Sequence, residues 1–197
     1  MKLVLTLVAV SALLSLSSCM SAPAAQVPVG RGSNSMEPRG QLALYVGGRS
    51  FDQDLWAPVE DHGVLGFEYS HQDSPDSFGW EIGLQGSGDD GTFAGFDVEG
   101  RTGEVYAGMR KAFGADTVRP YVGGGLSVIR AEIDAAGAED SDVSAAAYLH
   151  AGVEFLISPT FFLGIDIRGL FGSDIDIGGV NGDADYGQGA FTFGWRF

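Results

Sequence analysis

The sequence predicts an all-β fold, an eight-stranded antiparallel up-and-down barrel set in a membrane, on three observations. Hydrophobicity alternates with period two from residue 40 onward. The connections between alternating segments are by turns short and long. The last segment, AFTFGWRF, keeps Phe193, Trp195 and Phe197 on one face of an extended strand, with Thr192, Gly194 and Arg196 on the other. Chain ends usually fray into polar residues because they have little to bury against. An aromatic face at this position asks for a solvent other than water.

Taken in order, QLALYVGG places Leu42, Leu44 and Val46 together, and VLGFEYS groups Leu65, Phe67 and Tyr69 against Gly66 and Glu68. FGWEIGLQ aligns Phe78, Trp80, Ile82 and Leu84 against Gly79, Glu81, Gly83 and Gln85. EVYAGMRK sets Val105, Ala107 and Met109 against Glu104, Tyr106, Gly108 and Arg110. PYVGGGLSV and AYLHAGVEF repeat the theme, with Tyr121, Gly123, Tyr148, His150, Gly152 and Glu154 on the polar side. FFLGIDIRG opposes Leu163, Ile165 and Ile167 to Gly164, Asp166 and Arg168, and the terminal strand closes the series.

Short connections are expected at 70–76, 113–118 and 157–159, and longer ones rich in Gly and Asp at about 50–62, 86–101, 131–143 and 172–184. Tight turns on one side and long loops on the other are the asymmetry of an outer-membrane barrel, and an even strand number returns both termini to the tight-turn side. In TFAGFDVEG, residues 92–100, Asp97 and Glu99 fall on the parity of Val105 and Met109. Either that segment projects above the membrane or a bulge resets the register.

The N-terminus reads as a secretory signal peptide, residues 1–18: Lys2 followed by an apolar run over 3–16, too short to span a bilayer comfortably. Leu16-Ser17-Ser18-Cys19 resembles a bacterial lipobox, which implies lipidation of Cys19; ordinary cleavage within SAPAAQ is the alternative. Residues 19–39, with Pro23, Pro28 and Pro38 among small and polar residues, read as a flexible tether, and 40–197 as the barrel.

Which face meets which medium follows from volume. Eight strands leave a lumen just wide enough for side chains to fill. It cannot hold the Leu, Val, Ile, Phe and Trp set of nearly every strand, but it can hold glycines with a few long polar residues. The apolar face therefore points into lipid, and a soluble ligand-binding barrel is disfavoured. A closed barrel also satisfies every backbone polar group, as hydrocarbon demands. The inward set is then Glu68, Glu81, Glu104, Glu154 and Asp166 against Arg110, Arg119, Arg168 and Arg196, with His150 between. Near-balance suits buried charge, and Arg168 is expected to pair with Asp166 or Glu154.

On these residues the chain from 40 to 197 resembles the small outer-membrane β-barrels of the OmpA/OmpX type. The resemblance implies a bacterial outer-membrane location, a monomer, outer-membrane lipid as surroundings, and Phe193, Trp195 and Phe197 as the signature by which the barrel-assembly machinery recognises such chains. It leaves function open, since these barrels serve as anchors, adhesins, enzymes and narrow channels.

Composition narrows the choice. A formal charge of −15 argues against nucleic acid as a partner. One cysteine excludes an internal disulfide, and no Cys/His cluster, GxSxG motif or phosphate loop is present. His62, beside Asp61 and near Ser50, is the one candidate for lipid-modifying catalysis at the outer rim, against a reading as a solvated loop histidine. Seventeen of the 26 acids fall in the long connections: Asp52, Asp54, Glu60, Asp61, Asp89, Asp90, Asp97, Glu99, Glu132, Asp134, Glu139, Asp140, Asp142, Asp174, Asp176, Asp183 and Asp185. They form a solvated rim or a weak Ca²⁺ or Mg²⁺ site, with loops expected to be mobile until a cation bridges them; NGDAD at 181–185 is dense in acids but is no EF-hand loop. No catalytic residue and no cofactor is expected. A non-enzymatic structural or surface-interaction barrel is the leading reading, with a lipid-modifying enzyme or a narrow porin-like pore as alternatives.

Overall fold

Alternating side chains can bury only one face of a strand, and a chain of alternating segments avoids open edges by closing on itself. The computed structural model shows that closure. It describes residues 39–197, apart from 115–116 and 136. The signal peptide, Cys19 and the tether up to residue 38 lie outside the described residues.

The elements are β1 (Gly40–Phe51), α1 (Gln53–Trp56), β2 (Asp61–His71), β3 (Gly79–Phe93), β4 (Phe96–Ala112), β5 (Val118–Ala135), β6 (Ala138–Leu156), β7 (Phe161–Phe171), the short hairpin β8 (Ile175–Ile177) and β9 (Val180–Gly182), and β10 (Tyr186–Arg196). Eight of the strands form a closed antiparallel barrel in which each pairs with its chain neighbour and β1 pairs with β10. That seam runs unbroken from Gln41 opposite Arg196 to Phe51 opposite Tyr186. Phe197 finishes it: its amide donates to the Gly40 carbonyl at 2.9 Å, and its own carbonyl accepts from Arg39 and Gly40 at 3.1 and 3.0 Å.

Wall height is uneven. β1, β2, β7 and β10 have 11 or 12 residues, whereas β3 to β6 have 15 to 19. The connections expected at 86–101 and 131–143 are therefore mostly strand. β4 stays paired with β5 up to Val98 opposite Ala135, while β2 reaches only to Gly63 opposite Gly88 on β3. One half of the wall continues past the membrane as a four-stranded flange. Pairing through 92–100 is continuous, Thr92 opposite Asp97 and Phe93 opposite Phe96, so no bulge resets the register and the segment projects. Ala94 and Gly95 turn the hairpin with positive φ of 52° and 89°, the left-handed pair of a tight two-residue loop.

The two faces divide as volume demands. Leu65, Leu84, Leu126, Leu149 and Phe191 stand outward and exposed, while Tyr106, Tyr121, Tyr148, Glu68, Glu81 and Glu154 are buried inside. Inward glycines make the room: a Cβ on Gly83 would strike the Tyr106 ring, and one on Gly123 would strike the His150 imidazole.

Candidate functional site

Because inward residues sit two apart on every strand, polar side chains stack in tiers along the lumen. At the inner end Glu154 (β6) accepts from Gln41 at 2.7 Å, from Arg119 at 3.2 Å and from Arg110. Arg110 also reaches Ser70 at 2.9 Å and Glu68 at 3.4 Å, and lies 3.8 Å over the Tyr121 ring. In the middle tier His150 stands between carboxylates, Nδ1 at 3.0 Å from Asp166 and Nε2 at 3.1 Å from Glu81. An imidazole that faces a carboxylate at each nitrogen meets both with a hydrogen only as the cation. Tyr121 donates to Asp166, and Tyr148 to Glu81, each at 2.7 Å.

Glu104 (β4) is the hub of the upper tier. One carboxylate oxygen accepts from Arg168 at 2.8 Å and Ser127 at 2.7 Å; the other accepts from Tyr186 at 2.7 Å, Gln85 at 2.9 Å and Arg49 at 3.3 Å. The Arg168 guanidinium lies between the rings of Tyr106 and Tyr148, 3.8 and 4.0 Å from their centres. Above this tier an apolar cluster closes the outer end: Phe51, Trp56, Ile129, Ala131, Leu170, Ile175, Ile177, Ala184 and Tyr186. Trp56 stacks on Phe51 at 4.2 Å, and its indole N–H donates to the Asp183 carbonyl at 3.0 Å.

Most of the sequence-predicted lumen set meets in this network, with three differences. Arg168 pairs with Glu104, not with Asp166 or Glu154. Asp166 is taken by His150 and Tyr121, and Glu154 by the inner arginines, while the long Arg168 chain crosses the lumen to β4. Arg196 sits half-buried at the inner mouth, lining a cavity of about 40 Å³ with Arg39, Gln41, Arg110 and Arg119. The upper tier instead uses Arg49, only 2 % exposed. Ending the first strand at Gly48 hid it, although Arg49 shares the parity of Gln41, Ala43 and Tyr45, which was the available signal.

The rim histidine also differs from both of its expected roles. β1 pairs Ser50 with Asp61 and Arg49 with His62. Ser50 and Asp61 therefore lie on the outer face, bonded to each other at 2.7 Å. His62 points inward, 2 % exposed, with its ring nitrogens 2.9 Å from the Ser87 hydroxyl and the Val59 carbonyl. Ser50, Asp61 and His62 do not form a triad, because adjacent residues of a strand face opposite ways.

The acidic rim is partly built into the structure. Ser144, Asp142 and Asp140 on β6 accept the backbone amides of Asp174, Asp176 and Gly178, at 2.8, 2.8 and 2.6 Å. Alternate side chains of one strand thus bind alternate amides of the loop beside it, latching the β8–β9 hairpin over the part of β6 that β7 does not reach. The Asp176 and Val143 amides hold the Asp142 carboxyl below the ordinary aspartate range. Asp185 accepts from the Gly172 and Ser173 amides, each at 2.9 Å. Among the described residues one group could hold a metal ion, Glu68, Glu81 and His150, and its members are already bonded to neighbours in the lumen.

A family model described as outer membrane protein beta-barrel domain matches residues 10–197. The chain belongs to that family. Its barrel is a bacterial outer-membrane barrel, and solved structures share the fold. The attachment invasion locus protein Ail of Yersinia pestis is 16 % identical over 82 % of this chain and all of that one, with a TM-score of 0.56. Neisserial surface protein A is 13 % identical over 80 % and 96 %, TM-score 0.53. The N-terminal barrel of Pseudomonas aeruginosa OprF is 15 % identical over 81 % and 99 %, TM-score 0.52. At these identities the likeness is one of fold. No curated protein matches the sequence.

Proposed function

We propose that this outer-membrane barrel is a non-enzymatic surface-interaction protein: the membrane part is an anchor, and the flange with its acidic outer loops does the work. The observation that carries this reading is the contrast between the two ends of the wall. The lumen is filled by tiers of paired charge and capped by the Trp56 cluster, whereas β3 to β6 extend outward well past their neighbours. A pore would need an open path where Glu104, Arg168 and Arg49 now interlock. A lipid-modifying centre would need a nucleophile and base on one face, and Ser50 and His62 lie on opposite faces.

Ail has been solved in complex with the heparin analogue sucrose octasulfate. The acidic crown of the present chain favours the opposite class of ligand, because carboxylates repel sulfates. Lipidation of Cys19, recognition of Phe193, Trp195 and Phe197 by the assembly machinery, a monomeric state, and weak Ca²⁺ or Mg²⁺ bridging by rim acids outside the β6 latch complete the proposal. The test is attachment of cells that carry the full barrel or a version with all four outer connections trimmed to tight turns, together with planar-bilayer conductance and analysis of lipid A. Loss of attachment on trimming, without conductance or altered lipid A, is the expected result. Equal attachment by the trimmed barrel, a stable conductance, or a changed lipid A overturns the reading.

A further inference from the structure

At the top of the flange, Phe93 and Phe96 are 66 % and 62 % exposed. They flank the Ala94–Gly95 turn and pair with each other, so both side chains leave the same face of the hairpin. That face is the one facing the barrel axis: two residues further along each strand, a Cβ on Gly91 would meet Pro58 and Val59. The outer face nearby carries Asp90, Asp97 and Glu99.

These rings are not part of the lipid belt. Phe93 lies five residue steps beyond Gly88, the last β3 residue paired with β2, or about 17 Å along an extended strand. The outward positions between are polar, and the rings point away from lipid. Nor does the fold need them. They add nothing to either buried cluster, and the turn between them holds an alanine in the left-handed region, where glycine or asparagine costs less. Two paired, bare aromatic rings on a projection clear of the lipid belt form an exposed apolar patch of the kind that marks an interaction surface.

Charge selects the occupant. Phe96 lines a groove of about 690 Å³ between the tips of the β3–β4 and β5–β6 hairpins, together with Asp90, Asp97, Glu99 and Asp134. Arg101 pairs with Glu99 and Arg130 with Glu132, and the remaining carboxylates leave the crown negative. A second copy of the chain would bring the same acids and be repelled. An anionic membrane would be repelled for the same reason. A basic protein surface is attracted, and its apolar side chains find two bare rings.

We propose that the β3–β4 hairpin tip docks a basic protein surface that caps its end, with an apolar side chain of the partner against Phe93 and Phe96 on the axis side and its lysines or arginines reaching over the tip to Asp90, Asp97 and Asp134 on the outer side. This rests on the surface-interaction reading and narrows it to one hairpin and one partner chemistry. Steering by the carboxylates raises the encounter rate, and the rings supply the contact that slows release.

The test uses the full barrel in nanodiscs of zwitterionic lipid, with binding to empty discs subtracted. The probes are three fluorescent peptides with glycine spacers: one alternating lysine and tryptophan, one with every tryptophan replaced by serine, and one with every lysine replaced by glutamate. The lysine–tryptophan peptide is expected to bind, and to lose on the order of tenfold in affinity on Phe93→Ser with Phe96→Ser, or when its tryptophans become serine. Asp90→Asn with Asp97→Asn should flatten the salt dependence, and the glutamate peptide should not bind. Unfolded and folded barrel migrate differently on a gel without boiling, which shows that each variant folds. Equal binding by the double-serine variant, binding of the glutamate peptide, no binding of any peptide, or preference for anionic vesicles overturns the proposal. If attachment depends on the outer loops but not on Phe93 and Phe96, this inference falls and the surface-interaction reading stands. If trimming every loop changes nothing, that reading falls as well.

Discussion

Replacing Glu104 by glutamine is the sharpest test of whether the lumen network stabilises the barrel or merely fills it. The change keeps shape and volume and removes one negative charge. Glu104 is fully buried, with Arg49 at 3.3 Å and Arg168 at 2.8 Å. As a carboxylate it accepts from five donors, two on one oxygen and three on the other. Glutamine retains one of those oxygens and turns an amide N–H₂ toward the donors of the other. At best it leaves Arg168 and Ser127 facing hydrogens; in the other orientation it leaves Arg49, Tyr186 and Gln85. Removing one partner of a buried ion pair costs about 3–5 kcal/mol, chiefly because the other charge stays buried and uncompensated. Partial compensation by the tyrosine faces against Arg49 and Arg168 offsets about 1–2 kcal/mol of this, so a net loss of about 1–4 kcal/mol is expected. The assay is reversible urea unfolding of the refolded barrel in liposomes, followed by tryptophan fluorescence. Glu132→Gln, on the exposed flange, should leave the midpoint unchanged. A Glu104→Gln barrel as stable as the parent would refute the argument and make the tiers inert filling.

Three further outcomes follow from other parts of the wall. Leu163→Arg, on the outward face of β7, should destabilise by about 2–4 kcal/mol if it lies near the bilayer midplane, measured by the same unfolding; a neutral effect would invert the face assignment. Deleting Phe197 removes the hydrogen bonds that finish the β1–β10 seam at Arg39 and Gly40, and should leave secretion intact while reducing folded, heat-modifiable barrel in the membrane; normal yield would show that the terminal aromatic is dispensable. The Asp142 carboxyl titrates below its unfolded value because the Asp176 and Val143 amides bind its charged form. Its contribution is therefore present above about pH 4 and is lost as pH falls through the lower folded value. Hydrogen exchange at the Asp176 amide should be protected at pH 6, lose protection only as pH falls through the lowered folded value, and be unprotected throughout in Asp142→Ala; pH-independent protection in the parent would rule out the latch.

Strand existence, strand number and the choice of lipid-facing side were legible in the sequence, because a period of two is a local property and each residue reports its own face. Leu163, Ile165 and Ile167 need no knowledge of their neighbours to say that one side of β7 meets something apolar. Inward membership of Glu68, Glu104 or His150 was legible for the same reason. Partnership was not. Arg168 and Glu104 are 64 residues apart and on non-adjacent strands, so their meeting depends on the shear and the diameter of the closed wall. Period-two reading also stops where glycine and charge replace apolar residues, which hid the last turn of β1 with Arg49 and made the flange strands look like loops. Whether His62, Ser50 and Asp61 converge was decided by pairing register, which placed Asp61 opposite Ser50 on the outer face and His62 inside. The pattern along the chain determined what each residue prefers to touch; only closure of the barrel decided which residues it touches, since distances across a lumen are set by all eight strands together.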